Sequence, residues 1–263
     1  MKQGFVKVAS ATPRIRVADP VYNAQVICEQ AKEAAEHGAK IVVFPELCIT
    51  GYTCNDLFLQ ELLLEKAKEA LLTIAEETGQ LETLFLVGLP VDKDGRLYNV
   101  AAVLYRGRIL GMIPKKNIPM YAEFYEGRHF TPGEETVTEY RLGKQVIPFG
   151  SNLLFRCEEL PELILGCELC EDLWVAEPPS TSHALMGATV IANLSASNET
   201  VSKDDYRTLL IKASSARLLC GYIYTSAGEG ESTQDLVFGG HDLIAENGTL
   251  LVQSARFTTG ILY

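Results

Sequence analysis

The run AKIVVFPEL, residues 39 to 47, constrains the fold more than any other stretch of the chain. Ile41 to Phe44 are apolar without polar alternation, so the strand they form must be covered on both faces. Pro45, which has no N–H to give a ladder, ends it. Upstream, Ala24, Ile27, Ala31 and Ala34 recur at helical spacing between residues 21 and 37, and Gly38 reads as a helix stop. Before that, FVKVAS alternates as a strand does. A strand, a helix and a doubly covered strand in that order read as a β-α-β unit with a parallel pair.

The theme continues. Residues 56 to 78, rich in Leu, Ala, Glu and Lys and stopped by Gly79, predict a helix, and TLFLVGLP predicts the next strand. YNVAAVLY and RILGMIPK flank Arg106-Gly107, a hairpin signal. Residues 114 to 144, punctuated by Pro114, Pro119, Gly127, Pro132 and Gly133, read as a long irregular segment of the kind that often carries function. In the second half ELILGCELC, TVIANLSAS and YIYTSAG read as strands, SHALMGA and residues 203 to 219 as helices, and Asn247-Gly248 as a hairpin turn. Two mixed sheets packed face to face with helices outside fit this order. An ordinary three-layer α/β domain, or two separate domains, also fits, although no linker-like stretch marks a split.

With 263 residues, 47% of them hydrophobic, the chain is long enough for a sizeable core. Its net charge of −11 disfavours nucleic acid and anionic membrane surfaces as partners. No apolar run reaches transmembrane length and the N-terminus lacks a signal-peptide core, so the location is read as cytoplasmic. Seven cysteines in such a chain are expected to be mostly small buried hydrophobes rather than disulfides, with room for one catalytic thiol.

Cys167 and Cys170 are spaced as a redox pair or half a zinc site would be. No second close pair exists, and the four histidines show no ligand spacing, so no metal is expected. Cys167 falls inside a strand and reads as packing. Cys170 falls where the strand runs out into Glu171-Asp172, and a thiol on such a turn faces a pocket. It needs a base, because a free thiol is little ionised at neutral pH. Glu46, directly behind the buried strand, is a candidate base, and Lys115, at the end of RILGMIP, a candidate electrophile; Lys116 competes with it on pattern alone. Strand C-termini in α/β folds converge on one crevice.

FPELCITGY, PKKNIPMY and GCELCEDLW, in that order, resemble the nitrilase (carbon–nitrogen hydrolase) superfamily. PKKNIPMYAEFYEGRHF, NLSASNET and YTSAGEGESTQDLVFGG narrow the resemblance to the N-terminal glutaminase domains of glutamine-dependent NAD synthetases, over residues 4 to 260. The resemblance implies a four-layer αββα sandwich and hydrolysis of the glutamine side-chain amide through a cysteine thioester. It implies Glu46 as base, Lys115 (preferred over Lys116 for the aliphatic Ile118 beyond it) as oxyanion partner, Cys170 as nucleophile, and Glu123 as the residue that orients Lys115 or water. For substrate it implies Tyr121, Ser197 and Lys203 at the amino-acid end, with Lys203 suited to the α-carboxylate, Glu171 and Tyr121 to the α-ammonium, Phe124 and Trp174 as walls for the aliphatic part, and Tyr52 from FPELCITGY.

The same resemblance implies a single glutaminase domain over residues 1 to 263, cut short at its C-terminal end. The family's Ser-Gly-Gly-x-Asp-Ser pyrophosphate loop has no counterpart here, the only Gly-Gly being Gly239-Gly240, so the synthetase domain is absent. No cofactor is expected for this domain; ATP and Mg would belong to the absent one. The partners implied are L-glutamine, the NAD synthetase domain and further copies of the chain. A stand-alone amidase acting on another amide, or a non-catalytic assembly module, remains an alternative.

Overall fold

The computed structural model describes residues 4–233 and 235–263; residues 1–3 and Gln234, the latter within YTSAGEGESTQDLVFGG, lie outside them. In chain order the elements are β1 (Val8–Thr12), α1 (Pro20–Glu36), β2 (Ile41–Val43), a 3-10 segment (Tyr52–Leu59), α2 (Glu61–Glu77), β3 (Leu84–Lys93), β4 (Arg96–Tyr105) and β5 (Arg108–Pro114). A 3-10 turn (Glu126–Arg128) precedes β6 (Thr138–Leu142), β7 (Gln145–Phe149), β8 (Leu154–Arg156) and β9 (Ile164–Leu169). Then follow a 3-10 turn (Cys170–Leu173), α3 (Pro179–Leu185), β10 (Val190–Ser195), α4 (Lys203–Leu218), β11 (Gly221–Ser226), β12 (Leu243–Glu246), β13 (Thr249–Gln253) and β14 (Gly260–Leu262).

The strands form two sheets, ordered β14-β1-β2-β3-β4-β5-β7-β6 and β13-β12-β11-β10-β9-β8. Each has a parallel centre, β1-β2-β3 in the first and β9-β10-β11 in the second, extended mainly by antiparallel strands, with β7 joining β5 in parallel. Between the sheets lies an apolar layer: Ile41, Val43, Leu86, Val103 and Ile113 from the first meet Leu165, Cys167, Leu169, Leu194 and Ile223 from the second. α1 and α2 bury Ala24, Ile27, Ala31, Leu71 and Ile74 on the outer face of the first sheet. Ile211 of α4 packs with Tyr222, Tyr224 and Leu243 on the outer face of the second. The result is the four-layer αββα sandwich, and Cys167 is part of its inter-sheet packing.

Two local expectations change. The helix expected from residue 56 begins only at Glu61, because Asn55 takes a positive φ of 49° and Gln60 is extended. The segment expected to stay irregular to residue 144 ends in β6, which pairs with β7. Both expected hairpins form; Arg106 and Gly107, and likewise Asn247 and Gly248, all adopt the positive φ that two-residue hairpin turns require.

One close approach fixes the chain beyond β2. A Cβ on Gly88 of β3 would stand 2.2 Å from Leu47 N, 2.7 Å from Pro45 O and 2.8 Å from Glu46 C. Glycine lets the Pro45–Leu47 turn lie directly on β3, where Ile49 N–H donates to Gly88 O (3.1 Å). Leu47, at φ 52°, turns the chain there.

Candidate active site

The C-terminal ends of β2, β5, β9 and β10 meet at one end of the sandwich. Glu46 and Lys115 have no exposed surface at all, and Cys170 is 6% exposed. Lys115 Nζ donates to Glu46 Oε1 (2.7 Å) and to Glu126 Oε1 (2.6 Å). Glu46 accepts two further bonds, from Asn99 Nδ2 (2.7 Å) and from Ala196 N–H at the end of β10 (2.9 Å). A buried carboxylate with this many donors has one position and one orientation.

Charges act on the thiol as well. Burial pushes the Cys170 pKa up, the carboxylate of Glu46 pushes it further, and Lys115 opposes both. The thiol therefore rests protonated, beside the carboxylate that can take its proton. Burial works to lower the pKa of Lys115, but the adjacent Glu126 and Glu46 more than reverse it, so this lysine is held cationic. Glu126 is raised to about 6, burial outweighing the stabilisation by Lys115.

Cys170 takes a positive φ of 42° where β9 passes into its 3-10 turn. Such backbone strain in a non-glycine residue persists only where its surroundings enforce it. Asp172 does so: its carboxylate accepts from Leu169 N–H (3.0 Å), Asn117 N–H (2.8 Å) and Asn117 Nδ2 (2.8 Å). Asp172 thus ties the turn that carries Cys170 to the segment that carries Lys115. The rival lysine, Lys116, points outward to Glu135 (2.5 Å).

Cys170 opens into a cavity of about 430 Å³ lined by Tyr121, Glu123, Phe124, Glu171, Trp174, Ser197 and Lys203, among others. Six of the seven residues expected to contact substrate are therefore together. Tyr121 OH donates to both oxygens of Glu171 (2.9 and 3.1 Å). Lys203 Nζ stands 5.5 Å from the ring centre of Phe124 and 5.3 Å from that of Trp174. Burial lowers the Lys203 pKa and raises that of Glu171, so each gains from a charged group of opposite sign.

Two expected placements are corrected. Of the two roles expected of Glu123, the bond to Lys115 is not made: Glu123 accepts from Asn198 Nδ2, and Glu126, three residues on, holds the lysine. The cause is the bend of the intervening chain, where Ala122 has a φ of 49° and Glu126 starts a 3-10 turn. Tyr52 does not line the Cys170 cavity. Its hydroxyl donates to Glu126 Oε1 (2.9 Å), and its ring faces a smaller neighbouring cavity of about 50 Å³. Sequence reading missed Glu126, Asn99 and Asp172 as functional. A lone asparagine inside the apolar strand YNVAAVLY was the one available signal, since a buried amide demands partners.

Residues 7–263 match the family model described as Carbon-nitrogen hydrolase. A glutamine-dependent NAD(+) synthetase of Mycobacterium bovis is 43% identical over 260 residues, 99% of this chain and 38% of that protein. One from Thermotoga maritima is 32% identical, covering 94% of this chain and 39% of that protein. The chain therefore spans well under half the length of these relatives. Among solved structures, a glutamine-dependent NAD(+) synthetase from Cytophaga hutchinsonii superposes with a TM-score of 0.88 at 28% identity, over 98% of this chain and 42% of that one. The NitN amidase superposes with a TM-score of 0.77 at 20% identity over 91% of its own length, which speaks to the fold alone. Among the described residues, no helix is long and apolar enough to cross a membrane and no group of side chains is arranged to hold a metal ion. With the two-sheet fold and a family match running almost end to end, the chain belongs to the carbon–nitrogen hydrolase family, the hydrolases of carbon–nitrogen bonds.

Proposed function

We propose that the chain hydrolyses the side-chain amide of L-glutamine through a thioester on Cys170, and that the ammonia serves NAD synthesis by a synthetase domain. The observation that carries this reading is the buried Lys115 held between Glu46 and Glu126, with Cys170 lining a cavity that Glu171 and Lys203 also line. The cavity's other walls offer a carboxylate at Glu171 and an ammonium at Lys203, a matched pair for the charged end of an amino acid.

Glu46 takes the Cys170 proton as Sγ bonds to the amide carbon, and the carbonyl electron pair moves onto oxygen. Lys115 and the backbone N–H of Glu171 stabilise that oxyanion. Its collapse breaks the carbon–nitrogen bond, Glu46 returns the proton to nitrogen, and ammonia leaves. Water then gives a proton to Glu46 and attacks the thioester. The second oxyanion collapses to free glutamate, and the sulfur regains its proton. Glu126 keeps Lys115 charged and aimed, and Tyr52 steadies Glu126. The name shared by the relatives supports the destination of the ammonia; a cytoplasmic, homo-oligomeric enzyme needing no cofactor for this half-reaction belongs to the same reading.

Glutamate release is measured for the protein and for Cys170→Ala, with a panel of neutral amides and nitriles alongside. The reading requires glutamine to be preferred and the variant to be inactive. Equal rates for both proteins remove Cys170 from the chemistry, and preference for a neutral amide replaces glutamine as substrate.

A further inference from the structure

Asn198 lies in NLSASNET and is 3% exposed. Its Nδ2 donates to Glu123 and its Oδ1 accepts from Lys203 Nζ. Both of those groups line the cavity into which Cys170 opens. Among the described residues Lys203 and Glu123 form no ion pair with each other; a neutral amide stands between them.

The asparagine is itself held from behind. Arg207 Nη2 donates to Asn198 O (3.1 Å) and to Ser197 Oγ (3.2 Å). Arg207 is fully buried and its other terminal nitrogen, Nη1, contacts Glu199 Oε1 (2.8 Å) and His241 Nδ1 (3.0 Å). Asn198 also forms a backbone bridge with Phe238, and Glu199 N–H donates to Val237 O (2.7 Å).

We propose that Asn198 is a specificity-determining residue, the spacer that makes this cavity a receptor for a free zwitterionic α-amino acid. A direct Lys203–Glu123 pair would satisfy both charges internally, and a ligand would have to break it. The amide instead holds a cation and an anion apart while leaving each with unused bonding capacity, so their positions are set before the ligand arrives. The α-carboxylate then meets Lys203, and the α-ammonium meets Glu123 and Glu171. Simple amides and peptide-bound glutamine lack one or both charges and forgo these contacts. The identity of the amino acid as glutamine rests on the proposed function above; the need for both charges rests on Asn198.

The test is calorimetric binding of L-glutamine to Cys170→Ala with and without Asn198→Asp, which pairs directly with Lys203 and repels Glu123. Asn198→Ser serves as a second variant, and thermal unfolding confirms that each folds. Alkylation of Cys170 by iodoacetamide, a neutral amide, in proteins that retain the thiol reports on the chemical end of the cavity. The expected result is a loss of glutamine affinity of roughly 10- to 100-fold, as for one charge-assisted contact, with alkylation rates within about threefold. Unchanged affinity, an equal fall in alkylation, or no glutamine binding by Cys170→Ala overturns the proposal. Asn198-dependent binding in a protein that releases no glutamate sinks the hydrolytic reading and leaves this one standing.

Discussion

Gly88→Ala is the change that most sharply separates the geometry of this site from its composition, because it alters no group that touches substrate. The added Cβ would sit 2.2 Å from Leu47 N, whereas ordinary contact begins at 3.4 Å, so something must yield by about 1.2 Å. All three nearest atoms are backbone of the Pro45–Leu47 turn, so no flexible side chain can absorb the clash. Either β3 moves, against its ladders with β2 and β4, or the turn lifts and carries Glu46 with it. Glu46 is 2.7 Å from Lys115 and 2.9 Å from Ala196 N, and a shift of that size breaks both bonds. A displacement on the order of 1 Å in a catalytic group costs about 10²-fold in rate, and overpacking costs about 1–3 kcal/mol in stability. Steady-state glutamate release and urea unfolding, run on the same preparations, give the two quantities. Activity within threefold of the parent in a stably folded variant would refute the claim that Gly88 positions Glu46.

Glu126→Gln should lower kcat by roughly 10²-fold with little effect on KM, as for loss of one preorganised electrostatic partner, whereas Glu123→Gln should act chiefly on KM; the reverse pattern would restore Glu123 as the residue that serves Lys115. Because burial raises Glu126 to about 6, it gains a proton as pH falls through that value, and kcat/KM should decline on the acid side there, a limb absent from Glu126→Gln. Asp242, buried and raised to about 7, binds its proton more tightly folded than unfolded, so its stabilising contribution is complete at low pH and is lost as pH rises from about 4 to about 7. Melting temperatures across that range should show this downward component in the parent and not in Asp242→Asn. Asp172→Asn should free the Cys170 turn from Asn117, seen as slowed thiol alkylation with the fold retained.

The parts of the site that residue pattern alone could reach share one property, each standing at the end of a strand whose apolar run announces it; the residues around the cavity came from the family resemblance instead. Glu46 follows IVVFP, Lys115 follows RILGMIP and Cys170 follows LILGCEL, and parallel strands bring such ends together. Glu126 had no such marker. It lies in a 3-10 turn beyond a bend at Ala122, where position along the chain says little about direction in space, so counting from Lys115 chose Glu123 instead. Asn198 and Arg207 were invisible for a related reason. Their roles come from contacts between α4, the segment after β10 and the loop before β12, which only the packed sheets bring into register. The two-sheet plan followed from strand order and hairpin signals, but the late start of the helix expected from residue 56 turned on the positive φ of Asn55 and the extended backbone of Gln60, which composition did not mark.

The most direct test of the central claim is the covalent intermediate. The protein is mixed with L-glutamine, quenched in acid within the turnover time, digested and analysed by mass spectrometry. A thioester mechanism leaves a γ-glutamyl group on the peptide containing Cys170, absent from Cys170→Ala and discharged to glutamate with time. Glutamate release with no adduct at Cys170, or with the adduct on another residue, would contradict it.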